Sequence, residues 1–401
     1  MERSTPKRLA ALCFCTALAG SAYALEMDAT GKVTLEGRAF FDDGAYPEQS
    51  QNSNLSVTIE PDLYWETDDR NHTFYFKPFL RLDQHDDERT HADIRELSWT
   101  YYQGDWELRA GLRKVFWGVT EFQHLVDVIN QTDGVEDIDN EEKLGQPMIN
   151  LSLVRDWGIF DLYLLPGFRE RTFAGADGRL RGPLVVATNE AEYESAAGDH
   201  HTDVAVRWSH TIDAYDIGAH IFHGTNRDPI LSPRVINGQT VLVPYYEQMT
   251  QFGVDLQATL DSWLWKAEVL WRDTDREDYW ATQAGFEYTF YGINESDADL
   301  GVLLEYGWDE RGTDATSPFQ NDLSLGARLT LNDAQSSELL AGIIYDLDYD
   351  STTFQIEASR RLGAQWKVSL DLRYFDANDT RDPLTAFNDD SHIQLTIERY
   401  F

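Results

Sequence analysis

Charged and aromatic side chains crowd into one stretch of this chain. Between Arg113 and Asp133 stand Arg113, Lys114, Glu121, His124 and Asp127, interleaved with Phe116, Trp117, Phe122, Leu125, Val126 and Ile129. Both signs of charge in so short a span can attract, sort or hold ionic solutes. The spacing of Phe122, Leu125, Val126 and Ile129 predicts helical turns. A segment this apolar is poorly placed in open water, so it should fold back onto the rest of the chain. A second stretch, Pro166 to Arg181, carries Arg169, Arg171, Arg179 and Arg181, unusually basic for so acidic a chain. Guanidinium groups grip carboxylate or phosphate through paired hydrogen bonds, which would suit an anionic solute. Pairing with the acidic run Glu136 to Glu142 is the stronger expectation.

Bond-making chemistry is harder to find. Asp137, Asp139 and Glu141, or Asp346, Asp348 and Asp350, could offer oxygens to Ca²⁺. Both sets lack the glycine and bidentate glutamate of an EF-hand loop, so solvated loop acids are expected. Asp199, His200, His201 and Asp203 could bind a divalent ion adventitiously. No serine motif or His-Asp constellation specifies lipase or protease chemistry, although separate strands could assemble one. The sequence therefore predicts no enzyme, no resident metal and no cofactor.

Residues 1–24 read as a cleavable secretory signal. Arg3, Lys7 and Arg8 form a basic start, Leu9 to Ala19 a short apolar core, and Ala22-Tyr23-Ala24 a cleavage site. The core is shorter than the ~20 residues a spanning helix needs. Cys13 and Cys15 both fall inside it, so the mature chain has no thiol for a disulfide, nucleophile or metal site. Removing three basic residues and one acid takes the formal charge from −37 to −39. Such acidity excludes nucleic acid as a partner.

The elements that must position these side chains are strands. Residues 25–401 alternate apolar and polar over and over, as in Leu55, Val57, Ile59, Leu63 and Trp65 against Ser56, Thr58, Glu60, Asp62 and Tyr64. Leu323 to Leu331, Trp366 to Tyr374 and Ile393 to Ile397 repeat the pattern. About 18 such strands can be counted, an even number joined alternately by short turns and long polar loops. The long loops are Val115–Gln146, Arg169–Thr202, Thr225–Tyr246 and Ala377–Ser391. Pro61 and Pro78 interrupt two neighbouring strands. Pairing about the turn at Thr67–Asn71 brings them almost opposite each other, predicting one shared irregularity.

No apolar run is long enough for a membrane helix, and strands that alternate can cross a bilayer only as a closed barrel. A soluble sandwich also alternates. Trp263, Trp265, Trp271, Trp366 and Tyr374 near strand ends look instead like interfacial girdles. The predicted fold is all-β: a single transmembrane antiparallel barrel spanning residues 25–401. Its polar face then lines a lumen that carries both signs, including Glu36, Arg38, Arg81, Arg109, Arg113, Glu268, Glu305, Glu357, Asp371 and Arg373. These side chains could form cross-strand ion pairs or charge a water-filled pore. A barrel of about this strand number leaves an aqueous interior, which favours the pore.

The final strand, His392 to Phe401, resembles the C-terminal signature of Gram-negative outer-membrane β-barrels, with Arg399 where an apolar residue is usual. Its lipid-side position at the periplasmic rim would let the guanidinium snorkel to headgroups. Gly111-x-Arg113, Trp117-Gly118 and Asn130-x-x-Asp133 resemble a segment of porin-like and alginate-export-like barrels. The resemblance implies an outer-membrane location among lipid and lipopolysaccharide, and recognition of the last strand by the barrel assembly machinery. It also implies a homo-trimer, and a constriction loop in which Arg113, Lys114, Glu121, His124 and Asp127 narrow and charge the passage. Diffusion of small hydrophilic solutes is the function expected. A selective barrel for less polar compounds is the alternative, with Phe116, Trp117, Phe122 and Ile129 forming its substrate site.

Overall fold

The computed structural model describes residues 25–401 apart from positions 51 and 318; the signal expected at 1–24 lies outside the described residues. Strands run in the order β1 (Leu25–Phe40), β2 (Ser53–Thr67), β3 (His72–Asp83), β4 (Ala92–Gln103), β5 (Trp106–Arg113), β6 (Gln146–Arg155) and β7 (Gly158–Pro166). Next come β8 (Glu192–Tyr193), β9 (Thr202–Ile212), β10 (Tyr215–Thr225), β11 (Ile230–Ile236), β12 (Gln239–Tyr246), β13 (Gln248–Leu260) and β14 (Trp263–Thr274). The rest are β15 (Asp278–Phe290), β16 (Asp299–Asp309), β17 (Asn321–Thr330), β18 (Glu338–Asp346), β19 (Thr352–Leu362), β20 (Trp366–Asp376) and β21 (His392–Tyr400).

Eighteen of them form one antiparallel sheet. It closes because β1 pairs with β2 on one side and β21 on the other, from Lys32↔Tyr400 to Phe40↔His392. Gly31 and Phe401 extend the seam by exchanging backbone hydrogen bonds of 3.1 and 3.0 Å. Closure leaves no strand edge unpaired, which a bilayer demands. No helix among the described residues is long and apolar enough to cross a membrane.

The alternation decides which side each residue faces. Leu55, Val57, Ile59, Leu97, Leu325, Ile343, Leu370 and Leu395 stand exposed on the outside. Ser56, Thr58, Arg81, Asn150, Asp255, Glu268, Glu305 and Arg373 are buried inside. An apolar exterior over a polar interior reverses a soluble core and fits lipid. Trp263 and Trp265 stack at 5.5 Å beside the short turn before β14, with Phe286 against both. Trp280 and Trp308 are exposed at the opposite end of the barrel, beside the turn before β15 and the loop after β16, giving an aromatic band at each end. Arg399 lies over the Trp366 ring at 5.2 Å and donates to the Tyr400 carbonyl, a snorkelling posture at the short-turn rim.

The prolines behave as expected. Pairing of β2 with β3 lapses between Ile59↔Leu80 and Leu63↔Phe76, and that register places Pro61 opposite Pro78. The pairing of β3 with β4 shifts at Lys77/Pro78, so one wall irregularity absorbs both missing donors.

Two of the expected long loops hold more order than the alternation revealed. A hairpin of β11 and β12 turns at Asn237-Gly238, where both residues have positive φ (53° and 84°). That dipeptide suits such a turn because Asn and Gly tolerate the left-handed region. β8 adds in parallel through Tyr245↔Glu192 and Tyr246↔Tyr193.

Candidate functional site

Residues 114–145 leave β5 and run across the lumen. Their entry is set by Gly118, whose φ of 142° brings the backbone over a carboxylate; a Cβ here would stand 3.0 Å from Glu268 Oε1. Val119 N (2.7 Å), Thr120 N (3.0 Å) and Thr120 Oγ1 (2.7 Å) donate to Glu268 Oε1, while Val126 N donates to Oε2 at 3.2 Å. Glu305 accepts from Glu121 N at 2.8 Å, Phe122 N at 3.1 Å and the Gln283 amide at 3.0 Å. Glu268 is 0 % and Glu305 2 % exposed, so these bonds compensate two buried charges.

The helical turns expected at 122–129 do not form; bends and turns take their place. Glu268 and Glu305 hold the amides of residues 119–122 from the wall, and Val126 N, which a helix from 122 would bond to the Phe122 carbonyl, is spent on Glu268. The apolar side chains then separate to reach different walls. Leu125 packs on Leu270, Tyr279 and Ala281 of β14 and β15. Val126 and Ile129 join Trp117 and Val128 against Met148, Tyr163, Leu165, Ala205, Phe222 and Met249 of β6 to β13. Phe122 reaches the far wall, where Gly326 and Gly342 are cross-strand partners. A Cβ on Gly342 would stand 2.8 Å from the Phe122 ring, so the bare glycines make the recess it occupies.

On the remaining sides the loop is held by charge. Arg81 grips both oxygens of Glu136 (3.0 and 2.5 Å) and reaches Glu36 at 3.1 Å. Arg95 pairs with Asp133, and Arg89 with Glu36 at 2.8 Å. Arg373 on β20 spans Asp137 (2.7 Å) and Asp139 (2.6 Å). The acidic run therefore meets arginines of the barrel wall. This corrects two expectations. Asp137 and Asp139 are ion-paired with Arg373, although Asp139 and Glu141 remain solvent-exposed, and the basic stretch 169–181 finds other partners: Asp93 for Arg169, Asp390 for Arg179, the carbonyls of Ala176 and Gly182 for Arg181. Arg171 touches the run, donating to Asn140 at 2.8 Å.

Each residue anticipated from the sequence can now be placed. Glu121 bridges Lys266 (3.2 Å) and Arg328 (2.6 Å) on the opposite wall. His124 meets Glu141 at 3.1 Å; burial opposes its protonation, but that carboxylate outweighs it and lifts the imidazole above its usual pKa. Asp127 is buried with Lys143 at 3.3 Å and accepts from Trp117 N. Burial raises its carboxyl despite that lysine. Lys114 binds Glu96 through its backbone and Glu142 through its ammonium. Arg113 reaches Asn150 at 3.4 Å, and Arg109 sits along the wall with Glu107, Asn150 and Ser152. Phe116 is exposed, its ring edge-on to His124 at 4.8 Å. Trp117 is buried. It stacks obliquely on His220 at 4.8 Å with Arg207 behind it.

Arg169 and Arg171, expected with the constriction, both bond the loop, Arg169 to the Gly145 carbonyl at 3.1 Å and Arg171 to Asn140. With Phe173 they line a cleft of about 580 Å³ between residues 86–93 and Asp133, Val135 and Leu144 of the loop. The metal readings also resolve. Asp346 is buried and caps the backbone of Asp348 and Tyr349, and His201 bonds Asp203 at 2.8 Å while Arg227 holds the same carboxylate. His91, Asp133 and Glu136 are the three metal-capable groups that converge among the described residues. Arg95 and Arg81 already hold both carboxylates, which leaves little negative charge for a cation. Glu268, Glu305 and Arg373 were legible as lumen residues, but not as anchors. The Gly326/Gly342 recess went unread; two glycines at inward positions of neighbouring strands were its signal.

No protein-family model matches this chain, and no curated protein matches it in sequence. Among solved structures it is similar to Wzi, an outer membrane protein involved in group 1 capsule assembly in Escherichia coli and described as a carbohydrate-binding β-barrel. The TM-score is 0.52 at 9 % identity, over 91 % of this chain and 83 % of that one. OmpT of Vibrio cholerae, folded in vitro as a trimer, matches with a TM-score of 0.49 at 12 % identity, over 94 % and 99 % of the two chains. A variant porin of Rh. blastica matches at 0.45 and 10 %, over 94 % and 100 %. At such identities the likeness is one of fold. The shared architecture is a closed antiparallel β-barrel with an apolar exterior.

Proposed function

We propose that this chain is an outer-membrane channel for small hydrophilic solutes, with residues 114–145 as its constriction. One observation carries the reading: a loop fastened across the lumen of a closed barrel beside an inner wall that keeps exposed charge at Glu357. Eighteen strands enclose more space than side chains alone fill, and a fixed charged loop turns that space into a filter. Buried carboxylates and arginines hold the loop from several directions, which suits a permanent constriction better than a moving plug. The reading is non-enzymatic. It includes export by residues 1–24, lipid and lipopolysaccharide around the barrel, assembly through β21, and a homo-trimer.

An apolar substrate site on the loop has less support. Trp117 and Ile129 are 4 % and 0 % exposed, committed to packing, which leaves Phe116 as the open aromatic. Reconstitution in planar bilayers tests the proposal. Discrete ohmic current steps are expected, and a folded barrel that passes no ions overturns it.

A further inference from the structure

The channel reading leaves open which ions pass, and the walls that the loop covers locate the opening. Towards β6–β13 the lumen is filled by the apolar cluster around Ile129. Towards β1–β4 it is filled by Glu136 and Asp133 among their arginines. At β14 and β16 Glu268 and Glu305 hold the loop backbone, and at β18 the Phe122 ring lies against Gly342. Arg373 ties the loop to β20. Between these last two contacts stands β19, and its inward Glu357 is exposed.

The charge around that opening is one-sided. Glu357 and Asp371 are direct cross-strand partners on the lumen face. Like charges so placed cost a ladder stability, so repulsion is tolerated here. From the loop, Glu141 acts on Glu357 as well; it meets His124 at 3.1 Å on one side and keeps 56 % of its side chain exposed. The nearby bases are already outnumbered. Arg373 serves Asp137, Asp139 and Asp371, and Arg328 serves Glu121 and Glu287. Glu357 makes no ion pair among the described residues; the strongest charge acting on it is Arg373, against the three acids Asp139, Glu121 and Glu141.

We infer that this channel prefers cations, and that Glu357 and Glu141 set the preference. The inference rests on the channel reading and sharpens it to a substrate class: small cations and cationic solutes.

Reversal potentials across a KCl gradient in planar bilayers test it. The wild-type protein is expected to favour K⁺ over Cl⁻. Glu357→Gln with Glu141→Gln should lower the permeability ratio about two- to fivefold per charge, the scale of a monovalent Coulomb interaction across a few ångström of water. Glu357→Gln alone, which keeps shape and hydrogen bonding, guards against a double variant that fails to fold. An absence of all current defeats the channel reading itself. Current without cation preference overturns this inference alone. A selective wild type whose ratio survives both substitutions overturns the assignment to Glu357 and Glu141.

Discussion

On its β6–β13 side the lumen loop is held by packing, and on its β1–β4 and β20 sides by charge. The first attachment buries Trp117, Val126, Val128 and Ile129 in an apolar cluster, with Arg227 capping the Ile129 carbonyl at 3.0 Å. The second buries Glu36, Glu136 and Asp133 among Arg81, Arg89 and Arg95. Packing fails by degrees, because each deleted methylene costs its own burial and the cavity it leaves. A buried ion pair does not, because removing one member strands the other. The loop thus has one graded anchor and one that behaves almost as all-or-none.

Arg81→Met is expected to have the largest effect. It leaves Glu36 and Glu136 facing each other with diminished compensation and should cost about 4 kcal/mol. Urea unfolding in detergent micelles reads that loss, and a change below about 1 kcal/mol would show that water already compensates these carboxylates. Ile129→Ala on the apolar side should cost about 3 kcal/mol, from lost burial and an unfilled cavity. Its single-channel conductance should change little, since the charged anchors keep the loop in place. A large rise in conductance would make the apolar cluster the main fastening and reverse the comparison.

Glu305→Gln tests a third kind of anchor, a carboxylate that binds backbone. The amide keeps one acceptor oxygen but loses the charge that strengthens the bonds from Glu121 N and Phe122 N, a cost of about 2 kcal/mol. The tip at Phe122 should loosen while the barrel stays intact. Noisier open-channel current with unchanged heat-modifiability on gels is the expected pair of results; quiet current would assign the tip to the Gly326/Gly342 recess instead.

The barrel was readable because its code is local. Period-two alternation assigns a face to every residue from its neighbours, so Glu268, Glu305, Glu357 and Arg373 could all be placed inside. The site was less readable because its bonds are remote. Val119 meets Glu268 across 149 positions of sequence, and Arg373 meets Asp137 across 236. No periodicity records such pairings, which is why the acidic run was matched with the wrong arginines. The helical spacing of Phe122 to Ile129 misled for a related reason: it reports apolar neighbours but not the carboxylates that divert the backbone amides. The hairpin at Asn237-Gly238 was different, since its turn signal was local and could have been read.

The smallest expected effect is one of pH, and it separates the charged anchor at β20 from the apolar one. Burial, with the neighbouring Asp137 carboxylate, lifts Asp139 to about 6. An acid raised in the folded state is penalised while ionised, and the penalty is relieved as pH falls through that value. His124, raised by Glu141, acts in the same direction: its stabilising contribution is present at low pH and lost as pH rises through its folded value. The loop should therefore sit more firmly at pH 5 than at pH 8. Because protonation also removes a negative charge beside Glu357, cation preference should decline over the same interval. Asp139→Asn should flatten both dependences without touching the packing around Ile129. If its profiles follow the wild type, the pH response belongs to His124 or to other carboxylates, and the β20 contact is no softer than its apolar counterpart.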